Sequence, residues 1–555
     1  MSGWMPSPGN ALAPAGLRLL RSLAAGSAVV LSVVLPTAVA AADEPAGATV
    51  VGRLVQAWAE SFPGKAGHAD DGQLSWVEPA EGDPVLVDSA GVEGVPSGST
   101  VAVTLGTDGP DGSGDGALPV LDTQVLGHLS SELPAPAPST NQVTVAMVAP
   151  AGSDPAGDGT TLEQVVSAVE DRVAPFWAEQ SDGAITLGVT EIHDWTAAAV
   201  TCEQPGQLWD DIAARVRFEP GPGKHLLLYV SRGAGCGYAL AEVGTTPSSG
   251  GRIYVTDTST SAIAHEFGHN FGLGHSSAEQ CDGAVEGGFC RTVAYRDYYD
   301  VMGVSWSQTG NLNAAQAALL GLLPEAQQQL LSVKGSAITA TLTPLSGRVG
   351  TRALRLTDAD GIVYWLEYRT ATARDGWLAS SANRFGLESG VLLRRAGGLP
   401  DTSVLLDGTP TAAAGWDGDY RATLPVGVPV TVSGGDFSVV VQGLTPAGAV
   451  VSVAPNSPAG GGAPATPAPR IPHGGVVLPG SGEAAAETLT PTVEEAPEVG
   501  APQFSGAVQR VGPDLEPTSE ATRGSGALVV GAGALLVGST LLVARRLWTG
   551  ALRHH

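Results

Sequence analysis

Basic side chains are scarce in this chain. Against 55 Asp and Glu stand 28 Lys and Arg, and only Lys65, Lys224 and Lys334 among these are lysine. A formal charge of −27 leaves no basic face to track phosphates, so nucleic acid is excluded as an expected partner. Cysteine is equally thin. The four present (Cys202, Cys236, Cys281 and Cys290) include no C-x-x-C pair, which argues against a thiolate zinc site. No internal repeat of solenoid period occurs. Glycine and proline are abundant instead. With 75 and 40 of the 555 residues, they imply long stretches of turn and linker. The 43% of hydrophobic residues still suffices for several folded units.

Two apolar segments mark the ends. Arg18 and Arg21 precede an apolar run from Leu23 to Leu35, and Ala38-Val39-Ala40 supplies small residues for cleavage. This is the pattern of a signal peptide, residues 1–40, and it implies export. Gly526 to Ala544 is uncharged and long enough for one membrane-spanning helix. Arg545, Arg546 and Arg553 behind it predict a cytoplasmic tail, residues 545–555. The expected localisation is therefore a single-pass cell-membrane protein with its folded part outside.

Between the ends the pattern shifts repeatedly. Short alternating runs make 41–106 a β-rich region. Residues 107–140 read as a Gly/Asp-rich and then Pro-rich linker. From 141 to 332 strands and helices alternate: a strand Val143–Val148, a helix Thr161–Glu179 interrupted by Pro175, a strand Ala184–Val189, a helix Leu208–Val216 and a strand His225–Val230. Spaced short strands make 333–453 β-sandwich-like. Residues 454–525 have the composition of a disordered stalk before the span at 526–544. All four cysteines fall in the middle unit of an exported chain, so two disulfides are expected, with Cys202–Cys236 and Cys281–Cys290 favoured as local closures.

Chemistry concentrates at His265-Glu266-Phe267-Gly268-His269, followed by Gly272 and His275. His265 and His269 share one helix face, a turn apart, and can hold one Zn²⁺. Gly272 permits a sharp turn that brings His275 round as a third ligand, leaving a coordination position open. Glu266 can reach a water there without being a ligand. Three histidines and a Gly at these offsets are far more specific than a lone HExxH. Met302 follows in Asp300-Val301-Met302-Gly303.

These residues resemble the metzincin zinc endopeptidases, whose Met-turn packs beneath the zinc site. The stretch Tyr299–Gly303, then Leu312-Asn313-Ala314, Leu320–Leu323 and Tyr364–Arg369, is similar to the gametolysin-like (reprolysin-like) branch. The resemblance implies an α/β (α+β) zincin-like catalytic domain with His265, His269 and His275 on one catalytic zinc, Glu266 as general base and Met302 in the Met-turn. It implies hydrolysis of extracellular proteins or peptides. The competing reading is a catalytically inactive adhesion or binding protein of the same fold. Some metzincins place a Tyr just after the Met, and Val304, Ser305 and Trp306 leave that role vacant here. Tyr295, Tyr298 and Tyr299 precede the turn and read as structural. Asp111, Ser113, Asp115 and Asp122 have the spacing of a calcium-binding loop, but flanking helices are lacking and the twelfth position is Asp rather than Glu.

Residues 43–140 precede the catalytic unit as a pro-region would. They contain no cysteine to silence zinc but do contain 15 acids, so a carboxylate or a steric plug is expected if they do so. No Lys or Arg lies between Lys65 and Arg172, so any maturation cut in the linker should follow a non-basic residue.

Overall fold

A computed structural model describes residues 47–60, 72–106, 116–127, 139–154, 158–305, 308–411 and 418–456. The signal peptide, most of the stalk, the membrane span and the tail lie outside them, as does most of the calcium-like loop. No helix among the described residues is long and apolar enough to cross a membrane.

The first sheet has ten strands. The N-terminal region supplies β1 (Thr49–Glu60), β2 (Gln73–Pro79), β3 (Val85–Val87), β4 (Thr100–Leu105) and β5 (Val120–Gly127). The following unit supplies β6 (Ser139–Ala149), β7 (Ile185–Ala197), β8 (Lys224–Val230), β9 (Ala239–Glu242) and β10 (Gly251–Val255). Their main order is β3-β2-β1-β9-β10-β8-β6-β7, with β4 paired to β1 and β5 to β4. The segment expected as linker is thus a strand in part. Thr123 and Val125 pair with Val103 and Val101, which satisfies backbone groups that composition alone would leave to water.

Helices cover both faces of strands β6 to β10. Leu208, Trp209, Ile212 and Val216 of α3 (Pro205–Val216) pack on one face. On the other lie α1 (Leu162–Ala168), α2 (Ala174–Gln180) and α4 (Thr260–Asn270). A capping box starts α1: Thr161 Oγ1 accepts from Gln164 N, and Gln164 Oε1 accepts from Thr161 N. Pro175 does not end the helix. A π-helical stretch, Val169–Val173, widens the turn ahead of it, and the chain continues as α2 with Pro175 in its first turn.

Beyond α4 the chain enters a second sheet, ordered β12-β11-β18-β17-β16-β15-β13. These are β11 (His275–Cys281), β12 (Cys290–Val293), β13 (Gln328–Ser332), β15 (Ala353–Thr357), β16 (Val363–Arg369), β17 (Gly390–Ala396) and β18 (Asp401–Leu406). A four-stranded sheet, β14 (Ile338–Leu342), β21 (Gly448–Pro455), β20 (Phe437–Thr445) and β19 (Val430–Val432), packs on it through Leu342, Val439, Leu354 and Leu366. The expected sandwich therefore takes three strands, β11, β12 and β13, from before residue 333. His275 opens β11, pairing in parallel with β18. Both expected disulfides, Cys202–Cys236 and Cys281–Cys290, are present, and no cysteine is free. Helix α5 (Ala314–Leu319) starts on an Asn313 cap.

Candidate active site

Helix α4 carries His265, Glu266 and His269 into the interior. Its hold on the sheet comes from apolar packing and a few buried polar bonds. Trp177 Nε1 donates to Ala264 O at 3.2 Å, and the Trp177 ring meets Phe271 edge-on at 4.9 Å. Asn270 donates to Glu242 O at 2.8 Å. The helix then ends in a Schellman motif. Leu273 N donates to Gly268 O and Gly272 N to His269 O, with Gly272 at φ +102°. A side chain at 272 would be strained there and would press on the Thr245 backbone. The turn delivers His275, whose N–H donates to Pro400 O and whose carbonyl accepts from Gln316.

Around this turn sits the loop Asp300–Gly303. Asp300 carboxylate oxygens accept from Met302 N at 2.7 Å and Asn313 N at 2.6 Å. Met302 lies fully buried beneath Gly268, so closely that a Cβ at 268 would overlap its sulfur. The carbonyl of Val301 accepts from His265 Nδ1 at 2.9 Å, and Leu273 O accepts from His269 Nδ1 at 2.8 Å. Both bonds fix the tautomer that leaves Nε2 free to act as a ligand.

The three Nε2 atoms converge on one carboxylate oxygen, Oε1 of Glu60, at the end of β1. The separations are 3.3 Å for His265, 3.5 Å for His269 and 3.2 Å for His275. Nε2 of His265 and of His269 have no hydrogen-bond partner despite burial. A tetrahedral ion with bonds of about 2.0–2.2 Å sets its ligands roughly 3.3–3.5 Å apart, which matches the separation of Glu60 Oε1 from each Nε2. Together they form a group suited to hold a metal ion. The donor chemistry agrees: a buried carboxylate ringed by imidazoles lacks a strong counter-charge.

Electrostatics follow from the crowding. Burial disfavours the charged form of Glu60, but His265 and its neighbours overcome that and hold the carboxyl well below its usual range. Burial pulls His275 down to about 4. For His265 burial is the largest influence and lowers it, but the charge and hydrogen bond of Glu60, with the Val301 carbonyl and Asp300, together raise it. Glu266, buried and with Oε2 unpartnered, is held well above the ordinary carboxylate range, first by desolvation and then by Glu60.

Two residues at the site escaped the sequence reading. Glu60 was one acid among 15, with no spacing to single it out. Tyr295 is the other, and the expectation of a purely structural role does not hold for it. At φ +60° it turns its hydroxyl to Glu60 Oε1 at 3.1 Å, with its ring 3.9 Å from that of His275. Tyr298 and Tyr299 lie apart. The Tyr299 hydroxyl donates to Glu388 O, and the Tyr298 ring packs at a tilt against Phe385.

Residues 178–276 match a family model described as Metallo-peptidase family M12B Reprolysin-like. The matched segment contains α4 with His265, Glu266 and His269, and it reaches His275. It supports a zinc-dependent metallopeptidase acting on peptides or proteins, and it does not single out the gametolysin-like branch. No curated protein matches the chain. Among solved structures, one titled "Structure of a chaperone-substrate complex" aligns at 14% identity. It covers 36% of this chain and 30% of that one, and at a TM-score of 0.18 it carries no argument.

Proposed function

We propose that the protein is a surface-anchored zinc metalloendopeptidase. The observation that carries this is the convergence of three histidine Nε2 atoms beside a buried, unpartnered Glu266 oxygen. His265, His269 and His275 would hold the ion, and a zinc there would activate water and polarise the scissile carbonyl. Glu266, kept basic enough to accept a proton and placed next to His265 on the same helix, takes the proton of the attacking water and passes it to the leaving amine. Tyr295, whose hydroxyl already donates to an oxygen at the ligand vertex, is placed to donate to the carbonyl oxygen as charge develops on it. Peptide-bond hydrolysis needs each of these roles. A binding protein of this fold needs none, and the retention of Glu266 in a buried, costly position favours the enzyme.

The anchoring belongs to the same proposal and rests on the two terminal segments, 1–40 and 526–544. Elemental analysis of purified protein tests the metal centre. One zinc per chain is expected, and His275→Ala should weaken zinc binding by at least about two orders of magnitude, since it removes one of three nitrogens. Unchanged zinc affinity in that variant would remove His275 from the site.

A further inference from the structure

Strand β1 runs antiparallel to β9, with Ala57–Glu60 opposite Glu242–Ala239. Opposed residues share a face of the sheet. Ala239 and Ala241 belong to the core beneath α4, so their partners Glu60 and Trp58 point to the same side. Trp58 stacks on His269 at 6.3 Å and meets His275 edge-on at 5.8 Å. Glu60 enters the ring of Nε2 atoms, its carboxylate accepts from Tyr295, and its backbone carbonyl accepts from Tyr238 N at 2.9 Å. The three histidines are left at most 5% exposed. No substrate reaches them while β1 is in place.

Strand pairing alone does not call for an acid at position 60. Any side chain would serve the β1–β9 ladder, and a buried carboxylate is costly unless a cation meets it. We infer that Glu60 is the fourth ligand of the metal centre in the intact chain, and that β1 is a built-in plug that keeps the protein latent. The inference rests on the proposed metal site. The plug is part of a larger removable piece. Strands β1 to β5 enclose a core of Leu54, Val77, Val92, Val101 and Val103, while Val55, Ala57 and Trp76 also pack with Leu208, Trp209, Leu240 and Tyr254 of the following unit. Backbone pairing joins them to the catalytic strands through β1 and β9, with Arg53–Glu242 and Arg252–Glu78 ion pairs alongside. Displacing that unit uncovers His265, His269, His275, Glu266 and Tyr295 together.

The test uses full-length protein loaded with Co²⁺, compared with Glu60→Gln and Glu60→Ala; mass spectrometry confirms that each chain is uncleaved. All three should bind one cobalt per chain. The visible bands should shift in both variants, and zinc loss to a competing chelator should speed up roughly tenfold or more. Acetohydroxamate, a small bidentate metal ligand, should perturb the spectrum of Glu60→Ala and leave the wild type unchanged. Glu60→Ala should also cleave an unstructured fluorogenic peptide at least about tenfold faster than wild type, since a ligand position is freed. Identical spectra and zinc-loss rates at full cobalt loading would overturn the ligation by Glu60 and leave the three-histidine site standing. Altered spectra with equal cleavage would overturn the latency. A chain that takes up no cobalt would overturn both this inference and the zinc site beneath it.

Discussion

His225 is buried under α4, donating from Nδ1 to Asn270 Oδ1 at 2.9 Å while Nε2 faces the Asn141 amide at 3.0 Å. Burial pushes its pKa down to about 4. The unfolded imidazole titrates near 6.5, so between these values the unfolded chain holds a proton that the native one refuses. This contribution to stability is complete above about pH 6.5 and is lost as pH falls towards 4, on the order of 3 kcal/mol in all. Urea denaturation across that window should therefore fall more steeply for wild type than for His225→Gln. Parallel slopes would mean that His225 is charged in the native protein. The contrast with Glu60 and Tyr295 shows what single residues disclose. The zinc-type histidines announce themselves by spacing on one helix. Glu60 lies 215 positions before His275 and Tyr295 20 positions after it, and both reach the site through pairings that no local pattern encodes (60 lies on β1, 295 beyond β12).

At the scale of elements, α4 and the Met302 loop form one unit. Gly268 has room for no side chain because Met302 sulfur occupies the space, with Trp177 behind it. Gly268→Ala should cost about 1–3 kcal/mol through overpacking. The cost should shrink when Met302→Ala is added, and a double-mutant cycle in urea checks this coupling. Purely additive losses would separate the loop from the helix. Elements with a strong period or a continuous apolar run are legible: β6, β8 and α3 match their expected positions within a few residues, and α4 is the helix expected at His265–His269. Short β9 (Ala-Leu-Ala-Glu) and polar β11 (His-Ser-Ser-Ala-Glu-Gln-Cys) are not, because partners far away in the chain, β1 and β18, make them strands. Tertiary pairing overrode local propensity in both.

Across the whole molecule, buried charge ties the β-sandwich to the active-site loops. Glu367 accepts from Arg369 Nε and Arg394 Nε, both at 3.0 Å, and from Ala314 N at the start of α5. Arg394 also pairs with Asp297, and Arg369 donates to the carbonyls of Tyr299 and Asn311. All three side chains, Glu367, Arg369 and Arg394, are fully buried. The Tyr364–Arg369 stretch, legible only as a resemblance, thus has a physical role: it holds the Met302 loop from the sandwich side. The N-terminal unit holds the site from the other side and closes it. Peptide hydrolysis with Glu266 as base is tested by cleavage of an unstructured peptide by zinc-loaded Glu60→Ala protein, with and without Glu266→Ala. Zinc content should be equal, and the rate should fall by roughly 10²–10⁴-fold once Glu266 is gone. Equal rates in the two proteins would contradict the role of Glu266 as base.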